Sequence, residues 1–157
     1  MNLTNLLLIL WPAICIKESS GCWWKWNWTE DAVGIVQIRR IVVDDLNRIH
    51  GRKVYSYRDR WSVEKSKRMF IEWLSYYAAY YEKTTGRKVT LEVLARMWNG
   101  GPNGWKKKAT EKYWKEVKAI LADIRQKQFS GGVAQWLERW FHKPCVVGSS
   151  PASAISV

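Results

Sequence analysis

The helical pattern of the chain is interrupted after residue 98 by a segment that no regular helix can contain. Residues 99–104, Asn-Gly-Gly-Pro-Asn-Gly, hold three glycines and one proline. Glycine frees the backbone and proline lacks an amide proton, so this segment must form a tight turn. It separates a helical pattern over residues 90–98 from another over residues 110–127. Turns of this composition often present main-chain polar groups to a ligand, so we expect this one to form part of a binding site.

Apolar residues recur at helical spacing along most of the chain, and no segment shows a convincing strand pattern. The sequence therefore predicts a mainly α fold with a substrate cleft and little or no β structure. In the first segment the residues expected on one buried face are Leu3, Leu7, Leu10 and Ile14. Pro12 indicates that this helix either kinks or restarts there, and Gly21 is the expected C-cap. The next helix, over residues 39–50, is expected to face inward with Ile41, Val42, Leu46 and Ile49.

Length and charge limit the possible functions. The 157 residues allow one domain with a core, and 26 Lys and Arg against 14 Asp and Glu give a formal net charge of +12. The electrostatic field of such a positive charge attracts nucleic acid, anionic membranes or acidic envelope polymers. Most of the charge is interleaved with acids along helices, except for the three lysines at 106–108. Because helix-turn-helix and RNA-recognition patterns are absent from the sequence, we expect no specific nucleic-acid partner.

Cysteine and histidine usage argues against a metal centre. Three cysteines at irregular spacing do not predict a disulfide framework, and two histidines exclude an ordinary histidine-rich site. We therefore expect the protein to bind neither a metal nor a cofactor. We also expect it to be synthesised in a reducing compartment. The apolar stretch at residues 3–16 is shorter than the roughly 20 residues that span a bilayer. A buried first helix is the favoured interpretation, and a signal peptide is the alternative.

Four short motifs occur in an order that points to one family. They are Glu18-Ser19 after the apolar segment, residues 34–38 (Gly-Ile-Val-Gln-Ile), residues 97–101 (Met-Trp-Asn-Gly-Gly) and residues 113–117 (Tyr-Trp-Lys-Glu-Val). Over about residues 3–127, the chain resembles the lysozyme-like, lytic transglycosylase superfamily (SLT type). The resemblance implies a lysozyme-like helical domain that cleaves the β-1,4 bond between N-acetylmuramic acid and N-acetylglucosamine in peptidoglycan.

The resemblance also implies roles for individual residues. Glu18 would be the catalytic acid, and Tyr113 would point toward it. The implied substrate-binding residues are Ser19, Gly34, Gln37, Trp98, Asn99, Gly100 and Tyr113. Gly34 would allow close approach to the sugar, and Trp98 replaces the family's usual tyrosine. Independently of the family, an apolar setting at a helix C-terminus suits Glu18 to proton donation, since both disfavour its charged form.

The reaction type stays open at the sequence level. A lytic transglycosylase uses one acid and gives an anhydro product, whereas a hydrolytic muramidase commonly uses a second carboxylate. Asp31 and Glu30 are the candidates for that second acid, as an acidic residue in this loop is seen in the goose-type lysozyme branch. The alternative function is a non-catalytic peptidoglycan-binding module.

Tryptophan is unusually frequent, with 12 residues, and several follow Glu18 closely. Indole rings stack on sugar faces, so Trp24 and Trp26 are predicted glycan contacts. Lys25 and residues 106–108 are expected to meet anionic wall polymers or peptide-stem carboxylates.

The C-terminal residues differ in character. We predict a domain over residues 1–128 and a poorly ordered tail over residues 129–157, whose sequence resembles the translation of a transfer-RNA gene. The alternative is a short amphipathic extension at residues 136–141 that binds a partner. These features favour a monomeric, bacteriolytic enzyme of phage endolysin type, made in the cytoplasm and acting on the cell wall.

Overall fold

The computed structural model of the protein describes residues 2–129. Its elements are α1 (Leu3–Ser19), β1 (Trp26–Asn27), β2 (Ala32–Val33), α2 (Arg40–His50), α3 (Val63–Thr85), α4 (Leu91–Gly100) and α5 (Thr110–Phe129), with 3₁₀ turns at Tyr57–Trp61 and Gly104–Lys106. The predicted mainly helical fold with little β structure is confirmed. Both the predicted tail and its alternative role at residues 136–141 lie outside the described residues, apart from Phe129.

Helix α1 forms the centre of the core. It packs against α3, α4 and α5, and the side chains of Leu7, Leu10 and Ile14 are at most 1% exposed. The prediction of a buried first helix is confirmed, although Leu3 is only partly buried. The helix continues through Pro12 without restarting. Within residues 2–129, no helix is both long and apolar enough to cross a membrane.

Helix α1 ends one residue earlier than the sequence predicts. Ser20, rather than Gly21, is the C-cap, with a left-handed φ of 56° and an amide that donates to the Ile16 carbonyl. This cap fixes the direction in which the chain leaves the last turn of α1. Cys15 is a buried free thiol, whereas Cys22 is disulfide-bonded, a pairing that the sequence interpretation did not anticipate.

A two-stranded hairpin follows α1. Strands β1 and β2 are antiparallel, and Trp26 pairs with Val33. The guanidinium of Arg60, which is 4% exposed, donates to the carbonyl oxygens of Asp31 at 2.7 Å and Ile38 at 3.1 Å. These hydrogen bonds anchor the hairpin to the Tyr57–Trp61 turn, since a buried guanidinium needs such partners.

The inward face of α2 differs from the predicted one. Val43 and Leu46 are buried, whereas Ile41 is 70% exposed. Val42 and Ile49 are half-buried. The sequence pattern was wrong for Ile41, because α2 packs on α3 along only one narrow stripe and turns its first residues toward a cleft.

Candidate active site

The site is built around the last turn of α1, which carries Glu18. The neighbouring residue Ser19 is 2% exposed, and its hydroxyl donates to the Ile35 carbonyl at 2.7 Å. This hydrogen bond ties the end of α1 to the turn at residues 34–38. Ser19 therefore acts inside the protein, and it does not line the cleft that Glu18 faces.

The carboxyl group of Glu18 is partly buried and, among residues 2–129, has one close polar partner. The hydroxyl of Tyr113 on α5 donates to Glu18 Oε1 at 2.6 Å. Burial raises the pKa of Glu18 above its ordinary value, while the Tyr113 hydrogen bond and the charges of Lys17, Lys25 and Arg39 lower it by less. The net effect favours the protonated form of Glu18. Since Tyr113 occupies Oε1, the other oxygen is left to carry a transferable proton.

Tyr113 supports Glu18 from behind rather than from inside the cleft. It is 8% exposed and is not part of the cleft lining. Burial and the nearby carboxyl of Glu18 raise the pKa of Tyr113 well above its ordinary value, so its phenol stays a hydrogen-bond donor. Lys17, which forms an ion pair with Glu116 at 2.7 Å, lies over the Tyr113 ring.

The turn at residues 34–38 carries Gln37 into the cleft. Gln37 has a left-handed φ of 51°. Its side-chain amide donates to the carbonyl oxygens of Gly34 at 2.9 Å and Lys25 at 3.0 Å. Both amide protons are thereby used, so Gln37 Oε1 remains available to accept a hydrogen bond from a ligand.

Gly34 has a packing role in the structure. A Cβ atom at this position would lie 2.1 Å from the Arg60 carbonyl oxygen, and the φ of Gly34 is +82°. Only glycine fits both constraints. The structure places Gly34 outside the cleft lining, in contrast to the expectation that it lets a sugar approach.

The end of α4 forms the opposite wall. Trp98, Asn99 and Gly100, which are predicted substrate-binding residues, all line the cleft. The indole of Trp98 donates to the Val36 carbonyl at 3.3 Å and packs edge-on against Phe70. Asn99 is exposed, and no hydrogen bond engages its side chain in the part of the chain that the structure describes.

The glycine-rich turn after α4 is held by Thr110. The Thr110 hydroxyl lies 2.8 Å from the carbonyl oxygens of both Gly104 and Lys107, which share its single proton. Its methyl group also leaves no room for a Cβ atom at Gly100, since the two would be 2.6 Å apart. The turn is therefore a rigid part of the site.

These walls enclose a cleft of about 1060 Å³. Of the predicted site residues, those that line it are Glu18, Trp26, Glu30, Gln37, Trp98, Asn99 and Gly100. Ser19, Trp24, Asp31, Gly34 and Tyr113 do not. The rings of Trp26 and Trp28 stack with centroids 3.6 Å apart on one side, whereas Trp24 packs edge-on against Trp23 elsewhere.

The two predicted second acids lie in different settings. Glu30 lines the cleft and forms an ion pair with Arg39. Asp31 lies outside the cleft and is held by Arg40 at 2.5 Å and Arg60 at 3.6 Å. The geometry makes Glu30 better placed than Asp31 to meet a substrate.

Helices α2 and α3 add an acidic patch that the sequence interpretation missed. Asp45 lines the cleft and accepts hydrogen bonds from Tyr77 at 2.6 Å and Trp73 at 2.9 Å. Asp44 also lines the cleft and accepts from Tyr57 at 2.8 Å. Trp73 and Tyr77 lie one helical turn apart on α3, and each carries a polar group that needs a hydrogen-bond acceptor when buried. This pattern could have indicated an acceptor such as Asp45.

Metal ligands are not assembled at the site. Within residues 2–129, no group of histidine, cysteine, aspartate and glutamate side chains could hold a metal ion. The side chains that line the cleft include carboxyl, amide, ammonium, guanidinium, phenol and indole groups.

Comparison with known proteins gives one relevant likeness. The chain is 31% identical over 110 residues to Lysozyme 1 of Crassostrea virginica. The likeness supports a lysozyme-like family. The aligned region is 68% of this chain but 55% of that lysozyme, so the chain spans about half the length of this curated relative. No family model matches the chain, and no solved structure matches it significantly. Together with the five helices and the small hairpin, the match agrees with a mainly α, lysozyme-like fold.

Proposed function

We propose that the protein is a peptidoglycan-cleaving glycosidase that acts on the β-1,4 bond between N-acetylmuramic acid and N-acetylglucosamine. The observation that carries this proposal is the Glu18 carboxyl: it faces a large cleft, its pKa is raised by burial, and Tyr113 fixes one of its two oxygens. A neutral carboxyl in this position is suited to general acid catalysis. The likeness to Lysozyme 1 of Crassostrea virginica supports the same reaction class.

In this proposal Glu18 donates its proton to the glycosidic oxygen as the bond to the leaving sugar breaks. Positive charge then develops on the sugar ring, and the resulting carboxylate stabilises it. Tyr113 continues to donate to Oε1 and prevents the side chain from rotating away. Gln37 Oε1 and the Asn99 amide offer an acceptor and a donor for the acetamido groups of the substrate.

The second half of the reaction depends on which group meets the cationic sugar. In an anhydro-forming transglycosylase, Glu18 itself takes the proton of the sugar's 6-hydroxyl. In a muramidase, Glu30 is the better-placed second carboxylate, since Asp31 is held outside the cleft by Arg40 and Arg60. Mass analysis of the products separates these outcomes, because hydrolysis adds one water and transglycosylation adds none.

The decisive experiment uses purified sacculi and the full chain. We expect the Glu18→Gln variant to bind sacculi but to lose at least about a hundredfold in cleavage rate, since a proton donor contributes on the order of 10²–10⁴-fold. Glu111→Gln is the matched control, because Glu111 is an exposed residue at the start of α5 that does not line the cleft. Equal cleavage by wild type and Glu18→Gln would remove Glu18 from the mechanism. Binding without cleavage by the wild type would instead favour the non-catalytic binding module.

A further inference from the structure

Two lysines in the cleft share an unusual arrangement. The ammonium group of Lys25 donates to the Glu18 carbonyl at 2.7 Å, and that of Lys107 donates to the Gly100 carbonyl at 2.7 Å. Both lysines line the cleft. Each is therefore anchored to the main chain of a residue that belongs to one of the predicted site motifs.

The charges of these lysines are not neutralised within the protein. The other cleft cations have acidic partners, because Arg39 pairs with Glu30 and Arg48 pairs with Asp45. Across residues 2–129, neither Lys25 nor Lys107 has a carboxylate within 4 Å. The cleft thus offers two positive charges without a paired carboxylate, one beside Glu18 and one beside Gly100.

The anchoring makes these charges suitable for recognition. An ammonium group has three N–H donors, and the bond to a carbonyl oxygen uses one of them. The remaining donors are held in the cleft, which lowers the entropy that a free lysine side chain would lose on binding. Their natural partner is an anionic oxygen group, because such hydrogen bonds are stronger than those between neutral groups.

We propose that Lys25 and Lys107 bind carboxylates of the peptide stems that branch from the glycan, so that the cleft selects anionic peptidoglycan over neutral amino-sugar polymers. This inference rests on the proposed function and names the part of the substrate that the cleft recognises. Lys106 and Lys108 flank Lys107 in the sequence and add to the local positive charge, and Lys106 lies over the Trp105 ring.

The test measures binding of soluble glycan strands to the full chain carrying Glu18→Gln, which prevents turnover. The strands are freed of phosphate polymers and used in two forms, with stem carboxylates intact or converted to amides. We expect the intact form to bind about tenfold more tightly than the amidated form. We also expect Lys25→Gln and Lys107→Gln each to weaken the binding of the intact form by about three- to fivefold, with no effect on the amidated form. Lys107→Arg should retain the preference, and Lys83→Gln, which removes a charge from the end of α3, should leave both affinities unchanged.

Each outcome decides the proposal. Equal binding of the two forms, or an equal loss in Lys83→Gln and Lys107→Gln, would overturn it while leaving the glycan cleft in place. A lysine effect that arises only with strands that keep their phosphate polymers would assign the lysines to those polymers instead. Failure of both forms to bind would reject the proposed function and this inference together.

Discussion

At the scale of single residues, the hydrogen bond from Tyr113 holds the Glu18 carboxyl in place and opposes the effect of burial on its pKa. Burial raises the pKa of Glu18, and the donated hydrogen bond lowers it because it favours the carboxylate. Tyr113 thus limits how far the acid is shifted while holding it in place. Both effects depend on one hydroxyl group, so they can be tested with one substitution.

We expect Tyr113→Phe to move the high-pH limb of the kcat/KM profile toward higher pH. The variant loses the interaction that lowers the pKa of Glu18, so the active, protonated form persists further into the alkaline range. The maximal rate should fall roughly tenfold, since the carboxyl is no longer held in one orientation. Tyr80→Phe, at an exposed site on α3, is the control and should leave the profile unchanged. A limb that stays fixed in Tyr113→Phe would show that another group controls it.

The sequence predicts which residues lie around Glu18 better than it predicts the role of each residue. Three of the four motifs contribute residues to the cleft lining, whereas residues 113–117 supply Tyr113, which donates to Glu18 from outside that lining. The sequence alone does not show that Gly34 is required by the Arg60 carbonyl, or that the Ser19 hydroxyl serves the Ile35 carbonyl. These are contacts between distant segments, and local sequence patterns carry no information about them.

At the scale of elements, Asp45 joins α2 to α3. Its carboxylate accepts hydrogen bonds from Trp73 and Tyr77 on α3 and from Arg48 on its own helix. Periodicity located both helices and the buried Leu46, but it placed Ile41 on the inward face of α2, where the structure has Val43 buried and Ile41 exposed. The error follows from relying on apolar residues alone, because part of the α2–α3 contact is polar.

We expect Asp45→Asn to lower the free energy of unfolding by about 1–3 kcal/mol, because the buried Trp73 indole and the half-buried Tyr77 phenol lose a charged acceptor. Burial raises the pKa of Asp45, but the hydrogen bonds from Tyr77, Arg48 and Trp73 outweigh it, so the pKa lies below its ordinary value. This stabilisation is present above the unfolded-state pKa and is lost as pH falls through the lower folded-state value. Urea unfolding of the wild type and of Asp45→Asn, at neutral and at strongly acidic pH, measures this stabilisation.

The wild type should therefore lose more stability than the variant between neutral and acidic pH. Asp123→Asn on the exposed side of α5 is the control, and it should follow the wild type at each pH. Parallel pH dependences of wild type and Asp45→Asn would contradict the role given to this carboxylate.

At the scale of the whole molecule, the formal net charge of +12 and the two unpaired cleft lysines act over different distances. Under the proposed function, the net charge would draw the protein toward an anionic wall before contact, whereas Lys25 and Lys107 would act only once a strand lies in the cleft. Salt screens the first effect over a Debye length of about 8–10 Å at physiological ionic strength. Composition alone predicts the attraction, but the location of the unpaired charges emerges only from the folded chain.

We therefore expect kcat/KM on sacculi to fall roughly tenfold as ionic strength rises from about 0.01 M to about 0.15 M, since electrostatic steering raises encounter rates by 10-fold or more. Turbidity clearing at a series of salt concentrations measures this fall, and binding of a neutral chitin oligosaccharide to Glu18→Gln provides the uncharged control. Lys83→Gln, at the end of α3 and outside the cleft lining, should flatten the salt dependence of this rate only slightly, because it lowers the net charge that steers the encounter. Lys107→Gln should flatten it further, because it also removes a short-range contact that salt weakens. If sacculi and the neutral oligosaccharide responded to salt with the same slope, long-range attraction would have no part in how this protein reaches its substrate.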